Sequence, residues 1–391
     1  MTSAPPRAPG ALGEVARLFL RLGVVAMGGP AAHIAMMRDE VVDRRRWLTD
    51  REFLDLVGVT NLIPGPNSTE MAIHLGFVRA RWGGLLAAGV CFILPAFLIT
   101  LTLAIAYDRW GTTPTAAWLL YGIKPVVIAV IAQAVWRLGA VAARPAPWLT
   151  IGAAAIAGLY LAGINELALL FGGALALAAV RHAPRLLGVL GAALAALAFT
   201  AQTVATALLA AASPAREYSL TLLGLTFLKI GALLYGSGYV LVAFLQADFV
   251  ERLGWLTEEQ LIDAVAIGQV TPGPVFSTAT FVGYLTGGVP GSIVATAAIF
   301  APSFAYVAAL GKLLPHVRRN RVAAALIDGV NLAAIGLMAG VMLQLGSAAL
   351  VDVPTVLLLG AALLALLRRV NSAWVVVAGG ALGLAIRGTG L

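Results

Sequence analysis

Two Pro-Gly-Pro tripeptides interrupt apolar segments, and each is followed by residues that could bind an ion. Pro64-Gly65-Pro66 precedes Asn67-Ser68-Thr69-Glu70, and Pro272-Gly273-Pro274 precedes Ser277 and Thr278. Each proline removes a backbone donor and restricts the preceding residue, so no helix continues through either tripeptide. A helix that begins after the break presents free N–H groups, which favour anions. With the hydroxyl and amide donors, this predicts binding of a small, multiply charged oxyanion.

Basic side chains inside apolar runs could supply the countercharge. Arg21 and Lys229 occupy equivalent positions, and Lys124, before Pro125, has Asn331 as its partner in the second half. Charged groups within apolar segments are costly and are functional candidates by default. Snorkelling of a residue near a helix end is the structural alternative. We predict that these cations are anion ligands.

Three titratable residues are candidates for proton coupling. Glu70 follows Asn67 by three residues, so it is either a capping-box partner or a proton-binding group. Its counterpart at an offset of 208 residues, Thr278, cannot titrate. His33 and His74 lie just past the breaks, where they could contact the substrate path.

The offset of 208 residues relates the two halves of the chain without a gap. It pairs Gly23 with Gly231, Gly28 with Gly236, Arg44 with Arg252, Trp47 with Trp255, Asp55 with Asp263 and Gly83 with Gly291. Such a series indicates a tandem repeat with broken helices in each half. Interrupted apolar segments at corresponding positions of two repeats are typical of a transporter's binding site.

The composition indicates an integral membrane protein. Of 391 residues, 60% are hydrophobic and 11% are charged, more apolar surface than a soluble core absorbs. The net charge of +8 comes from arginines in short loops, which positive-inside topology explains better than nucleic-acid binding. The single cysteine, Cys91, excludes an intramolecular disulfide and a cysteine metal site. We expect no cleaved signal peptide, cofactor or nucleotide loop.

Nine apolar runs are candidates for spanning helices. They are 84–107, 116–141, 148–163, 165–180, 186–211, 290–311, 322–347, 353–367 and 372–386. Two broken regions precede the runs of each half: 12–37 and 53–79, then 221–247 and 261–288. The breaks are at Gly28-Gly29-Pro30, Pro64-Gly65-Pro66, Gly236-Ser237-Gly238 and Pro272-Gly273-Pro274.

Loop charge favours re-entrant hairpins over single crossings for these broken regions. The hairpin reading places the arginines of 38–51, 79–81, 181–185 and 368–369 on one face. We expect a first repeat at 1–185, a connecting transmembrane helix at 186–211 and a second repeat at 212–391. Because the connecting helix has no counterpart, the second repeat is predicted to have inverted topology, as alternating access requires.

The predicted substrate site combines the breaks with the cations. It comprises Arg21, Gly28, Pro30, Asn61, Pro64, Gly65, Pro66, Asn67, Ser68, Thr69, Lys124, Lys229, Gly236, Gly238, Gln269, Pro272, Gly273, Pro274, Ser277, Thr278 and Asn331.

Several long strings resemble signatures of the chromate ion transporter family. They are Gly28-Gly-Pro-Ala-Ala-His33, Arg45-Arg-Trp-Leu48, Thr60-Asn-Leu-Ile-Pro-Gly-Pro-Asn-Ser-Thr-Glu70, Lys229-Ile-Gly-Ala-Leu-Leu-Tyr-Gly-Ser-Gly238, Gly268-Gln-Val-Thr-Pro-Gly-Pro-Val275 and Phe300-Ala-Pro-Ser-Phe304. The match runs nearly end to end, at the length of the two-domain members. The resemblance implies a secondary transporter of the bacterial inner membrane that exports chromate and confers resistance, with sulfate as a competitor.

Other functions stay open at this stage. A sulfate or other oxyanion carrier on the same scaffold is the first alternative. A membrane chromate reductase would need a flavin, haem or nicotinamide site, for which the sequence has neither spaced ligands nor a nucleotide loop. A passive channel is disfavoured by an inverted repeat. The expected partners are the oxyanion and the lipid bilayer, without nucleic acid, and a homodimer is compatible with this reading.

Overall fold

The computed structural model describes residues 10–26, 30–60, 63–111, 113–143, 147–182, 218–234, 240–310 and 321–388. Every regular element within these ranges is helical, which confirms the all-α class. The first half contains α1 (Ala11–Val25), α2 (Pro30–Arg38, followed by a π-helical turn at Asp39–Arg44), α3 (Asp50–Thr60), α4 (Asn67–Trp110), α5 (Pro114–Ala143), α6 (Leu149–Leu161) and α7 (Glu166–His182). The second half contains α8 (Leu220–Leu233), α9 (Leu241–Leu245, followed by a π-helical turn at Gln246–Arg252), α10 (Glu258–Val270), a 3₁₀ turn (Val275–Ser277), α11 (Thr278–Leu310), α12 (Arg321–Ala349), α13 (Val353–Leu367) and α14 (Ser372–Gly388).

Four helices are long and apolar enough to cross a membrane, consistent with a multi-pass membrane protein. They are Asn67–Trp110, Pro114–Ala140, Val275–Ala309 and Ala324–Ala349. The shorter predicted spans correspond to α6, α7, α13 and α14; α6 has 13 residues and reaches about 20 Å, against about 30 Å for a hydrocarbon core. The predicted connecting helix at 186–211 lies outside the described residues, as do Gly28, Asn61, Gly236 and Gly238.

The broken segments of the first half return to the end of the molecule from which they start. Glu14, in the first turn of α1, pairs with Arg45 (3.0 Å), which follows the π-helical turn. It also pairs with Arg79 (2.8 Å), next to the kink of α4 at Ala80–Arg81. Because residues 14, 45 and 79 meet, α1–α2 and α3 with the start of α4 are two hairpins. The contacts therefore support the re-entrant reading over single crossings.

The second half repeats this arrangement. The ring of Tyr218, just before α8, packs on Trp255, which precedes α10, with 5.3 Å between centroids. The kink of α11 at Gly287–Gly288 lies against the Tyr218 hydroxyl. The start of α8, the loop before α10 and the kink of α11 thus meet, as their first-half counterparts do.

The offset between the halves changes by one residue after the second Pro-Gly-Pro break, so the predicted gapless match is wrong there. Gly76 packs on the backbone of Gly84, and Gly283 packs in the same way on Gly291. The equivalent of Gly291 is therefore Gly84 and not Gly83. The 3₁₀ turn at Val275–Ser277 explains the missing residue. Three 3₁₀ residues, with a rise of about 2.0 Å each, cover the same length as four α-helical residues, so the second half needs one residue fewer here.

Each long helix after the hairpins packs against the two short helices of the other half. Helix α5 packs against α13 and α14, and α12 packs against α6 and α7. Small residues permit close approach at matching points: Gly122 of α5 lies on the backbone of Gly379 and Gly383, and Gly329 of α12 lies on Gly173 and Ala174. The halves are interleaved rather than side by side.

The far end of each kinked helix reaches the hairpins of the other half. Near the end of α4, the Tyr107 hydroxyl donates to Asp263 of α10 at 2.8 Å. Near the end of α11, Val307 belongs to an apolar cluster with Ile63 and Val59 of the first-half hairpins. The two sets of hairpins therefore lie toward opposite ends of α4 and α11.

Candidate functional site

The breaks of the two halves exchange backbone hydrogen bonds. The Gly65 N–H donates to the carbonyl of Leu234, which follows α8, at 2.7 Å. The Gly273 N–H donates to the carbonyl of Ala26, which follows α1, at 2.8 Å. Gly65 with Gly273 and Ala26 with Leu234 are equivalent positions, so the contacts are reciprocal, as in a two-fold interface. Each Pro-Gly-Pro segment is thereby bound to the end of the first helix of the other half.

Local chemistry explains the shape of these breaks. Gly65 and Gly273 have φ of 136° and 96°, a region that side chains disfavour. Pro66 and Pro274 follow with extended backbone, and each is the residue before a new helical segment. Pro30 is the first residue of α2, where its missing N–H costs nothing. The predicted helix starts after the breaks are therefore present.

The capping-box prediction for Asn67 and Glu70 is wrong. The N-cap of α4 is Pro66, and Asn67 is already the first helical residue. Glu70 instead lies fully buried beside Gly65, and its Oε1 accepts a hydrogen bond from Ser303 of α11 at 3.3 Å. Its second oxygen has no partner within the described structure. An ionised carboxylate here would be a charge without a cation, which is costly in the protein interior.

Six predicted site residues carry buried polar atoms with no hydrogen-bond partner among the described residues. They are His33, Thr69, Glu70, His74, Gln269 and Ser277. All lie on the helical segments that flank the breaks. Buried polar groups are normally paired, so each such exception requires an explanation. A polar ligand or bound water at the breaks would supply the missing partners.

The other hydroxyls near the breaks are buried, and those of Thr271 and Thr278 have internal partners. The Thr278 hydroxyl donates to the carbonyl of Val275 at 2.8 Å and packs on Gly268. Ser68 is buried at the start of α4. Thr271, beside Pro272, bonds the carbonyl of Ile267 and lies 3.4 Å from the Thr100 hydroxyl.

Arg21 and Lys229 are paired with carboxylates of their own hairpins, and Lys229 also lies 3.8 Å from the buried Glu166 of α7. Lys229 contacts Asp248 at 2.7 Å, and the same carboxylate accepts from Arg252 at 2.8 Å. In the first half, Arg21 lies 3.6 Å from Glu40, which also pairs with Arg44. These are equivalent clusters, and the Arg21 side chain is 63% exposed. The geometry favours a structural role for both cations over that of an anion ligand.

We expect charge neutralisation to rescue a Lys229 variant. Lys229→Met leaves the buried Asp248 with one cation fewer, so thermal stability in detergent should fall; for a buried pair the loss is about 3 kcal/mol or less because Arg252 remains. Adding Asp248→Asn should restore most of it. Arg21→Met should change stability less, because the Arg21 side chain is 63% exposed and Glu40 keeps Arg44 and Arg45 as partners. A loss of anion binding by Lys229→Met that Asp248→Asn leaves uncorrected would favour the ligand role.

Lys124 lies far from the breaks along α10. Its ammonium is 3.4 Å from Glu259, in the first turn of α10. The break at Thr271 follows the other end of that helix, about 18 Å away at 1.5 Å per residue. In this conformation Lys124 is therefore not brought together with Ser277 and Thr278. Its counterpart Asn331 is half-buried in α12.

Three features of the structure were not predicted from the sequence. Ser303, the partner of Glu70, stands in the string Phe300-Ala-Pro302-Ser303-Phe304, whose proline inside an apolar run was the available signal. The carbonyls of Ala26 and Leu234 had no signal, because any residue supplies a carbonyl. A hydrogen bond from Gln344 to Glu251 and Glu258 had none either.

Comparison with known proteins gives the family. The profile described as Chromate transporter matches residues 13–179 and 221–384, once in each half. The chromate transport protein of Cupriavidus metallidurans is 32% identical over 383 residues, covering 95% of this chain and 92% of that protein. That of Pseudomonas aeruginosa is 35% identical over 344 residues, covering 86% and 82%. A probable chromate transport protein of Synechococcus elongatus is 30% identical over 356 residues, covering 89% and 88%. No solved structure matches. Together with the apolar helices, these matches show that the chain belongs to the chromate transporter family.

Proposed function

We propose that this chain is a secondary transporter that exports chromate from the bacterial cytoplasm across the inner membrane and so confers chromate resistance. Family membership supports chromate as the cargo. The observation that carries the binding site is the reciprocal pair of hydrogen bonds, Gly65 to Leu234 and Gly273 to Ala26, flanked by buried polar atoms that have no partner among the described residues. The substrate would bind there, between the two repeats at 1–185 and 212–391.

The chemistry at the breaks suits a tetrahedral dianion. Helical segments begin after Pro66 and Pro274, and helix starts favour negative charge. The hydroxyls of Thr69 and Ser277 have no partner in the part of the chain that the structure describes, and they can donate to an oxygen of the substrate. An inside-negative potential contributes about 2.3 kcal/mol per charge per 100 mV to export of an anion. The potential alone could therefore drive export, and a proton on Glu70 would be the coupling partner.

The mechanism we propose is alternating access between two inverted repeats. The hairpins of the two halves at opposite ends of α4 and α11 support it. So does a difference between equivalent elements. Helix α10 packs against α5, α11, α12 and α14, and Leu261 to Ala266 are all buried. Its counterpart α3 buries only Phe53 and Thr60, and Leu54 is 63% exposed. One hairpin is thus enclosed and the other is not.

Side-chain hydrogen bonds connect the enclosed hairpin to α12. Gln344 of α12 donates to Glu251 (3.2 Å) and Glu258 (3.3 Å) at the tip of the second-half hairpin. The equivalent of Gln344, at the offset of 207, is Arg137 of α5, and the equivalents of the acids are Asp43 and Asp50. In this structure Arg38 of the same hairpin holds both acids. We infer that Arg137 reaches them in the opposite state, when the first hairpin is enclosed.

Two cysteine pairs test this exchange. In a Cys91→Ala background, Gln344→Cys with Glu258→Cys should cross-link through a short bifunctional reagent, and so should Arg137→Cys with Asp50→Cys. Each cross-link should stop transport, because each holds one state. A substrate or inhibitor that favours one state should raise one yield and lower the other.

A pair outside the hairpins provides the control. Arg181→Cys with Asp328→Cys joins an ion pair between α7 and α12, so its cross-linking should not respond to substrate. Failure of the Arg137–Asp50 pair to cross-link under any condition would contradict the exchange of states.

Radiolabelled chromate uptake into everted vesicles tests the proposed function itself. We expect uptake above that of empty vesicles, abolished by an uncoupler and inhibited by excess sulfate. Absence of uptake would refute chromate as the cargo. Uptake of labelled sulfate with little chromate uptake would favour the second candidate, a sulfate or other oxyanion transporter, which the same donor chemistry supports. Net movement against a gradient would exclude a passive channel.

A further inference from the structure

A cavity of about 640 Å³ opens between α2, the C-terminal part of α5 and the link from α13 to α14. It is lined by Ala32, Gln133, Trp136, Arg137, Leu367, Arg369, Val370, Asn371 and Ser372. The Gln133 side chain donates to the carbonyl of Leu366 at 2.6 Å, which holds α5 to the link. The wall opposite α2 is thus a fixed part of the fold.

The charge of this lining is of one sign. Two of the nine lining residues, Arg137 and Arg369, are cations, three are neutral and polar, and none is acidic. Both guanidiniums are exposed, and no carboxylate pairs with either among the described residues. Many other arginines at this end do have partners: Arg38, Arg44, Arg45, Arg79 and Arg181 all form ion pairs. A concave surface with unpaired cations attracts anions from solution.

The cavity also leads toward the predicted site. Ala32 is the third residue of α2, two positions after Pro30 and next to the buried His33. Arg369 lies on the wall of the cavity opposite Ala32, in the link from α13 to α14. The basic residues of this link were predicted to lie on the same side of the membrane as the arginines of 38–51. One space therefore joins the basic end of the molecule to the start of a half-helix. It lies on the side of the hairpin that is not enclosed.

We propose that this cavity is a vestibule in which a soluble oxyanion binds first, with the guanidiniums of Arg137 and Arg369 as its ligands. The proposal rests on the transport function above and adds a second anion site on the path to the breaks. The two guanidiniums present planar N–H donors that match the edges of a tetrahedral dianion. In the opposite state, Arg137 would leave the vestibule for Asp43 and Asp50, so the site would exist only while this end is open.

Thiol labelling tests the vestibule without requiring transport. In a Cys91→Ala, Ser372→Cys background, the probe is the ratio of labelling rates by an anionic and a cationic methanethiosulfonate reagent of similar size. Replacing Arg137→Gln and Arg369→Gln together should lower that ratio about tenfold, because both field-focusing charges are lost. Arg368→Gln is the matched control, one residue away and not in the lining, and should change the ratio little.

Transport kinetics provide the second measurement. Arg369→Gln should raise the half-saturating chromate concentration about three- to tenfold while the maximal rate stays within twofold; Arg137→Gln should raise it by a similar factor, and Arg368→Gln should not. A labelling ratio that responds equally to all three substitutions would overturn the vestibule while leaving the transport function intact. No chromate uptake by the unaltered protein would refute the function, and the labelling ratio would still report on the vestibule.

The other source of the same chemistry is a lipid phosphate. In proteoliposomes of phosphatidylcholine alone, sulfate at millimolar concentration should slow labelling of Ser372→Cys by the anionic reagent. If added phosphatidylglycerol slows it and sulfate does not, the cavity binds a lipid headgroup and the proposal is overturned.

Discussion

Alanine at Gly65 is expected to abolish most transport. A Cβ at this position would lie 2.4 Å from Glu70 Oε1 and 2.6 Å from Ser303 Oγ, so the buried carboxylate must leave its serine partner. The φ of 136° adds the strain of a backbone conformation that alanine disfavours. The steric overlap of the added Cβ and the backbone strain together should destabilise the folded protein by about 2 to 5 kcal/mol. This is enough to disturb the hydrogen bond from Gly65 to Leu234. Chromate uptake into vesicles should fall at least about tenfold at equal protein level.

Gly273→Ala tests the same contact from the other half. Its Cβ would lie 2.9 Å from the Cβ of Ala96, and its φ of 96° is likewise unfavourable. The control is Gly163→Ala, which has φ of 86° but no atom within 4 Å of the added Cβ. That control carries only the backbone strain and should transport nearly normally. If Gly65→Ala and Gly163→Ala behaved alike, the contact between the breaks would not matter for transport.

The breaks could be predicted because their cause is local. Proline lacks an N–H and constrains its neighbour wherever it stands, so Pro64 and Pro272 interrupt helices regardless of tertiary context. Loop arginines likewise report topology without knowledge of packing, and the pairing of Arg79 with Glu14 agrees with the hairpins that the loop charges favoured. Buried polar positions at the breaks followed from the same reasoning, since donors within apolar segments need partners.

The remaining features depend on contacts that are distant in sequence. The apolar residues on both sides of Lys124 in the sequence suggest a buried cation, but the fold places Glu259 of α10 beside its ammonium group. Lys229 and Arg21 pair with acids inside the π-helical turns, Asp248 and Glu40. The repeat relates these two pairs to each other, but the sequence does not show that the residues come into contact. The capping box failed because a proline preceding Asn67 took the N-cap position, which left Glu70 free to turn toward Ser303.

The difference between α3 and α10 could not be predicted at all. Equivalent residues of a repeat suggest equivalent environments, and the sequence contains no reason for one hairpin to be enclosed. A transporter with two-fold related halves can occupy either of two mirrored states, in which the enclosed hairpin alternates. In the mechanism proposed above, the structure corresponds to one of these arrangements, with Gln344 bound to the second-half hairpin and Arg137 at an open cavity. The same sequence would then have to specify both.

Glu70→Gln is expected to remove the pH dependence of transport. An ionised Glu70 would place a negative charge beside the break at which the dianion is proposed to bind. If the Glu70 carboxylate and a charge of the dianion were about 8 Å apart, in an effective dielectric constant of about 20, they would repel each other by about 2 kcal/mol. That energy lowers the affinity for the dianion roughly thirtyfold. For the wild-type protein, the half-saturating chromate concentration should therefore rise as pH increases. At pH values above those at which chromate itself takes up a proton, the glutamine variant, which keeps a group for Ser303 but carries no charge, should show a flat profile.

The control substitutions decide whether Glu70 or a histidine carries the proton. His33 and His74 are also buried, and each has at least one ring nitrogen without a hydrogen-bond partner among the described residues, so His33→Gln and His74→Gln could alter the same profile. Asp39→Asn removes an exposed acid and should change nothing. A profile that survives Glu70→Gln but is lost in His74→Gln would transfer the coupling role to the histidine. The equivalent position of the second half is Thr278 at an offset of 208 or Ser277 at an offset of 207, and neither side chain can ionise. In the proposed cycle, the single carboxyl of Glu70 can therefore make transport respond to protons without a change in the arrangement of the two repeats.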